Sequence, residues 1–501
     1  MAQNRRQFLV QCGCGALSAS ALLSGLGRFA LIDALAQSPP ATGYKALVCV
    51  FLFGGNDSNN MVIPVTNYAD YNAARQRDDP SQTRTYAEFQ IPVDDLLQPI
   101  SPPSDGATFG FNPRLGDGFS TNPSMYDLWN AGNAAVVCNV GPLIRPISRA
   151  EYLANMARPY QLFSHSDQQN LWQTAYATRP QQTGWGGSTV DRTGGGSNFP
   201  VIASIAGVTV FSTGLNTRPL VLSPAPTALS ASLKLFKPGS QSEDEIRQVL
   251  MADEDQLMPA LIQGAAKITQ SALDASDLLQ MDPTIITPFP DTSLGNQLKQ
   301  VAKLIRIAPS LGLTRQVFFV SIGGFDTHTG QGKYTPGTVT TGGQLGLLQQ
   351  LSQAVGSFYQ ATLENPDVSQ QVTLFTSSDF SRTLLPGGGN TGTDHAWGSH
   401  QFVVGGAVNG KDFYGQFPSL ATGTDQDTDV TNPRGRWIPT TSVDQYALTL
   451  ASWYGLAQGD WPSVFPNIGN FQNPTLGFMN MGAAPQRSTP SRQTAVRPRK
   501  G

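Results

Sequence analysis

The sequence predicts an α/β fold with a central, mainly parallel sheet flanked by helices. Short apolar, β-branched runs recur along the chain and mostly end in Gly, Ser, Asn or Asp, and stretches of helical periodicity lie between them. Alternation of this kind makes parallel strands joined by crossover helices, with ligands held beyond the carboxyl ends of the strands. There are 51 glycines and 36 prolines in 501 residues, which implies long ordered loops laid over that scaffold.

In chain order, strands are expected at 45–53 (KALVCVFLF), 134–140, 200–205, 219–222, 316–322 (QVFFVSI), 371–376 (QVTLFT) and 401–405. Helices are expected at 149–157, 167–176, 242–276, 295–306, 342–362 and 444–455. The 242–276 segment carries acids in its first turn, where they complement the helix dipole. Residues 64–128 read as a loop-rich excursion and 224–242 as a connector rich in Ser and Pro. One domain is expected over 37–482, and 483–501, basic and nearly free of apolar residues, reads as a disordered tail.

Composition excludes some functions. Net charge is −3 and charged residues are 13%, against about 25% in an average protein, so there is no broad basic face for nucleic acid. At the N-terminus, Arg5 and Arg6 precede Phe8, Leu9, a small-residue apolar run and Ala34-Leu35-Ala36. That order reads as a twin-arginine signal over residues 1–36, with the translocase as an export partner and a periplasmic or secreted location. No later apolar stretch is long enough to span a bilayer, so no stable membrane insertion of the mature chain is expected. Cys49 and Cys138 lie in apolar strand-like runs and read as two buried thiols, a disulfide being the alternative.

The chemistry gathers at strand ends. The first strand runs into Gly54-Gly55-Asn56-Asp57, which delivers Asp57 to the sheet edge as a metal ligand or, alternatively, into an Asx-turn. QVFFVSI ends in GGFDTHTGQ, where Asp326 and His328 stand two apart and point the same way in extended backbone. QVTLFT ends in SSDFSRT, with Asp379 and Arg382, and GTDHAWGSHQFVV brings Asp394, His395 and His400 ahead of the next strand. The remaining histidine of the four, His165, opens a helix beside Ser164. All four histidines thus fall at predicted sheet edges among carboxylates, a donor set suited to a divalent ion, Zn²⁺ first with Mn²⁺ or Ca²⁺ as alternatives.

GGND, GGFDTH, SSDFSRT, DHAWGSHQFVVGGAV and PTTSVDQYALTLASWYG together resemble an uncharacterised twin-arginine-exported bacterial family related to the alkaline phosphatase and sulfatase superfamily. The resemblance spans nearly the whole mature chain and implies an alkaline-phosphatase-like sheet with metal ions at its strand ends. It implies metal-dependent cleavage of phosphate or sulfate esters, small or polymeric, by a metal-activated nucleophile. By position it makes Asp57, Asp326, His328, Asp379, His395 and His400 ligands, with Asp394-His395 as an alternative to Asp379 for the late pair. No C-x-P-x-R or S-x-P-x-R motif is present, so Ser164 is the candidate nucleophile, with His165 beside it and Arg382 as an anion clamp. Ser164 or Ser166 as a simple N-cap is the other reading. Trp185 and Trp397 are expected to pack rather than to line the site. A non-catalytic binding or scaffold protein on the same fold is the alternative function.

Overall fold

A computed structural model describes residues 43–75, 89–196, 199–232, 279, 282–335, 342–364, 368–387 and 391–481. The expected signal at 1–36, the helix at 242–276 and the tail at 483–501 lie outside the described residues.

The main sheet is mixed. Its strands are β1 (Lys45–Leu52), β5 (Ala134–Gly141), β6 (Ile202–Ser204), β7 (Leu220–Val221), β8 (Arg315–Ile322), β9 (Val372–Ser378), β10 (Ser399–Gly405), β11 (Phe413–Tyr414) and β12 (Thr441–Ser442). They run in the order β11-β5-β10-β9-β1-β8-β6-β7, with β12 also on β5. From β9 through β7 every pairing is parallel, but β10 is antiparallel to both β9 and β5. The central strands are thus mostly parallel, as expected, and the reversal at β10 makes the sheet mixed. The reversal also means that β10 begins at the edge where β1, β8 and β9 end. The excursion after β1 forms a small second sheet, β2 (Val62–Pro64), β4 (Phe109–Phe111) and β3 (Leu97–Ile100), in that order.

Strand β9 is buried along its whole length and β1 from Ala46 onward, which is why neither shows an alternation of apolar and polar residues. Phe211 and Phe375 pack on Trp185, a core residue at the start of a helix not foreseen at 185–193, and Phe319 joins Phe211 to Phe51. Each such buried side chain contributes on the order of 1.5–3 kcal/mol. Among the described residues, the helices of eight or more residues are α1 (Tyr68–Arg75), α2 (His165–Thr174), α3 (Trp185–Thr193), α4 (Ser293–Ile307), α5 (Gly343–Leu363) and α6 (Val443–Tyr454). Helices α4 and α5 pack on each other with α4 against β8, and α6 packs on β1, β5 and α3. Helix α6 starts where it does because Ser442 and Gln445 form a reciprocal capping box. The expected helix at 149–157 is shorter, Arg149–Leu153, and is likewise boxed by Ser148 and Glu151. Cys49 and Cys138 are buried free thiols. No helix among the described residues is long and apolar enough to cross a membrane.

Candidate metal centre

Strand β1 has the same register with both neighbours, so Leu52 stands beside Ile322 of β8 and Ser378 of β9. The turns beyond these three strands therefore meet. Gly54 sits between them with φ +114°, and a Cβ there would lie 2.2 Å from the Asp326 nitrogen, which no other residue type tolerates. Its N–H donates to Asp379 (3.2 Å) and its carbonyl accepts from Arg382 (3.3 Å). Beyond β9, residues 381–383 run antiparallel to 394–397, with the Ala396 nitrogen on the Ser381 carbonyl and that of Thr383 on the Asp394 carbonyl. The Thr393 nitrogen bonds the Thr327 carbonyl at 3.0 Å, which ties the His395 loop to the His328 loop.

Four ligand atoms, from His165, Asp326, His328 and His395, lie within 4.8 Å of one another. The Asp326 carboxylate is the hub, 3.4 Å from His165 Nε2, 3.2 Å from His328 Nε2 and 3.6 Å from His395 Nε2. In every imidazole the other nitrogen is held by an acceptor. Nδ1 of His165 meets Asp379 Oδ2 at 2.7 Å, Nδ1 of His328 meets Asp394 Oδ1 at 3.0 Å, and Nδ1 of His395 meets the Phe163 carbonyl at 2.7 Å. Each acceptor takes the Nδ1 proton and leaves the Nε2 lone pair facing inward, the arrangement that orients metal-bound histidines.

Two further observations fit a cation. The Nε2 of His165 is buried without a hydrogen-bond partner. Nε2 of His328 and Nε2 of His395 are 2.8 Å apart while both Nδ1 atoms face acceptors, so two lone pairs confront each other unless a positive charge lies between them. Three imidazoles and one carboxylate match Zn²⁺, which binds such nitrogens at about 2.0–2.1 Å, better than Ca²⁺, which takes oxygens.

The electrostatics agree with that assignment. The hydrogen bond to the Asp379 carboxylate raises the pKa of His165, although burial and Arg382 act against it. Burial lowers that of His395, helped by Arg382 and the other two imidazoles and opposed by the hydrogen bond to the Phe163 carbonyl. Burial works against ionisation of Asp326, but the guanidinium of Arg382 (2.9 Å) and the nearby imidazoles outweigh it and hold its pKa low. Asp394 is likewise held low, against its burial, by Arg434 and His328. Asp326 and His328 are the most open of the four ligands, 46% and 45% exposed, so the centre faces solvent on one side.

The other candidates are placed differently. Asp379, fully buried, and Asp394 hold histidines rather than joining the four; Gln169, one turn along α2 from His165, also donates to Asp379 at 2.9 Å. Asp57 is not brought to the cluster. Its carboxylate is buried against Arg75, the last residue of α1 (2.8 Å), and Gln331. His400 is also a correction: it lies inside β10, accepts the Asn139 N–H at 3.2 Å and stacks on Phe417 at 4.5 Å. Ser164 occupies the N-cap position of α2 without capping it, and its hydroxyl donates to Asp167 at 2.6 Å. Arg382 is fully buried, with four of its five N–H donors engaged by Asp326, Gly54 and Thr393. Trp397 packs on Tyr152 and donates to the Pro142 carbonyl.

Sequence reasoning missed Gln169, Arg434 and the Phe163 carbonyl. Only Gln169 had a signal, its i+4 spacing from His165 on one helix face. Residues 44–435 match the model of a family described as a protein of unknown function, DUF1501, and the chain belongs to that family. No curated protein matches the chain.

Two measurements check this placement. In the first, Asp326→Asn or His328→Ala is expected to lower the divalent-metal content of the purified protein, while Asp57→Asn leaves it unchanged. Asp57→Asn instead strands the buried Arg75 charge and costs about 3–5 kcal/mol in denaturant unfolding. Metal loss in Asp57→Asn with full stability contradicts the assignment.

The second concerns His400, whose pKa burial pushes from 6.5 down to about 3. Between those values the unfolded chain binds a proton that the folded chain refuses, so this residue makes stability fall as pH drops through that window. His400→Gln is expected to lose less melting temperature than wild type between about pH 7 and about pH 4.5. Equal losses refute it.

Proposed function

We propose that this member of the DUF1501 family is an exported metal-dependent hydrolase of phosphate or sulfate esters. The observation that carries the reading is the convergence of three Nε2 atoms on the Asp326 carboxylate with every Nδ1 anchored elsewhere. A divalent ion bound there supplies Lewis acidity and brings the pKa of a water molecule toward neutrality. The chain's own part is to hold that geometry. Asp379, Asp394 and the Phe163 carbonyl keep the Nδ1 protons, Arg382 orients Asp326, and the exposed side of Asp326 and His328 admits substrate and water.

With the Ser164 hydroxyl engaged by Asp167, water is the better nucleophile in this reading. Its oxygen forms the new bond to phosphorus or sulfur, and the alcohol departs with a proton. Location at the carboxyl edge of the strands supports an alkaline-phosphatase-like site. Zn²⁺ is the proposed ion, and export rests on the Arg5-Arg6 signal. The binding or scaffold alternative draws on one observation: Arg382 is fully buried and already gives four of its five N–H donors to protein groups.

The test is metal analysis of the purified full chain combined with turnover of model phosphate and sulfate esters. Expected are one zinc-class ion per chain and ester hydrolysis that chelator removes and His165→Ala abolishes. Bound metal with no turnover of any ester favours the binding protein, and no bound metal overturns both. Arg5→Lys with Arg6→Lys is expected to retain the protein in the cytoplasm, and normal export of that variant removes the export claim.

A further inference from the structure

The imidazole of His395 differs from the other two in its support. Asp379 and Asp394 hold His165 and His328, whereas Nδ1 of His395 has only a main-chain carbonyl, that of Phe163. Phe163 is itself a non-glycine residue at φ +73°, a left-handed conformation that persists only where its surroundings enforce it. One side chain meets both Phe163 and His395. The guanidinium of Arg436 lies over the Phe163 ring, 5.3 Å from its centroid, and Nε donates to the His395 carbonyl at 2.8 Å.

Arg436 is anchored in turn. Its Nη1 meets both oxygens of Asp429, at 3.0 and 3.1 Å, its backbone N–H donates to Asp427 at 3.2 Å, and its carbonyl accepts the Thr428 N–H. Resting on the metal-centre reading, we propose that Arg436 is a positioning residue for the ion: it holds the two segments that deliver His395 and His165 in one geometry. A planar guanidinium lays its face on the ring while its edges donate to a carbonyl and a carboxylate, and a lysine ammonium cannot make all three contacts. Arg436 touches no ligand side chain, so it acts through the backbone of residues 163–165 and 395. No motif in the sequence marks it.

The experiment uses the full chain with Co²⁺ and Zn²⁺ as probes, in wild type, Arg436→Lys and Asp429→Asn. Loss of a support behind a metal ligand typically weakens binding about 10–100-fold. Arg436→Lys is expected to weaken Zn²⁺ binding within that range and to alter the visible Co²⁺ spectrum. Asp429→Asn is expected to shift both in the same direction by less, and serves where the arginine variant folds poorly. Four histidines make a histidine-labelled ¹⁵N spectrum sparse, so the metal-free protein gives a separate readout. The protected His395 Nδ1–H of wild type is expected to exchange faster in Arg436→Lys. Wild-type affinity, Co²⁺ spectrum and exchange in both variants overturn the role of Arg436 and leave the centre standing. A wild type that binds neither ion overturns the centre and this inference with it.

Discussion

The shared register of β9, β1 and β8 is the constraint on which the site depends. With Leu52 level with both Ile322 and Ser378, the chain leaves three adjacent strands at one height. The following residues must then share a space about two strand spacings wide, near 10 Å. Gly54 makes the sharing work, since its missing Cβ admits the Asp326 backbone while its N–H and carbonyl engage Asp379 and Arg382. A slip of one residue in β9 would turn Asp379 to the opposite face and leave His165 without its acceptor.

Antiparallel β10 completes the arrangement. A residue that precedes a strand reaches the carboxyl edge of its neighbours only if that strand runs the other way. His395, ahead of β10, meets His328, beyond β8, for that reason. Main-chain bonds from 394–397 to 381–383 and from Thr393 to Thr327 bring the loops into contact, and the close approach of Gly392 to the Thr327 carbonyl leaves no room for a side chain there.

Charge is distributed by burial. Arg382 and Asp379 are fully buried, and each meets opposite charge or hydrogen-bonding groups, so neither is stranded in a low dielectric. Asp57 and Arg75 do the same a short distance away, where the pair joins the second sheet's helix to the turn after β1. The exposed charge is left to Asp326, the hub of the four ligands. Carboxylates that look equivalent in a sequence thus separate into cluster member, histidine holder and structural partner according to the groups that surround them.

The sequence by itself determined β1, β5 to β10 and the helices α2, α4, α5 and α6, because unbroken apolar runs ending in Gly, Asp or Ser have few alternatives to buried strands, but it did not show β2 to β4, β11, β12, α1 or α3. It also singled out Asp326 with His328, since residues two apart on extended backbone point together. The histidine count narrowed the site to a handful of residues, three of which converge. Tertiary structure alone decided which acid joins the cluster that could hold an ion and which acids hold its histidines, because that turns on a few ångströms across loops far apart in sequence. It sent His400 into the sheet interior and Asp57 to Arg75. It also recruited Arg436, Arg434 and the Phe163 carbonyl, whose roles come from long-range packing that no local pattern encodes.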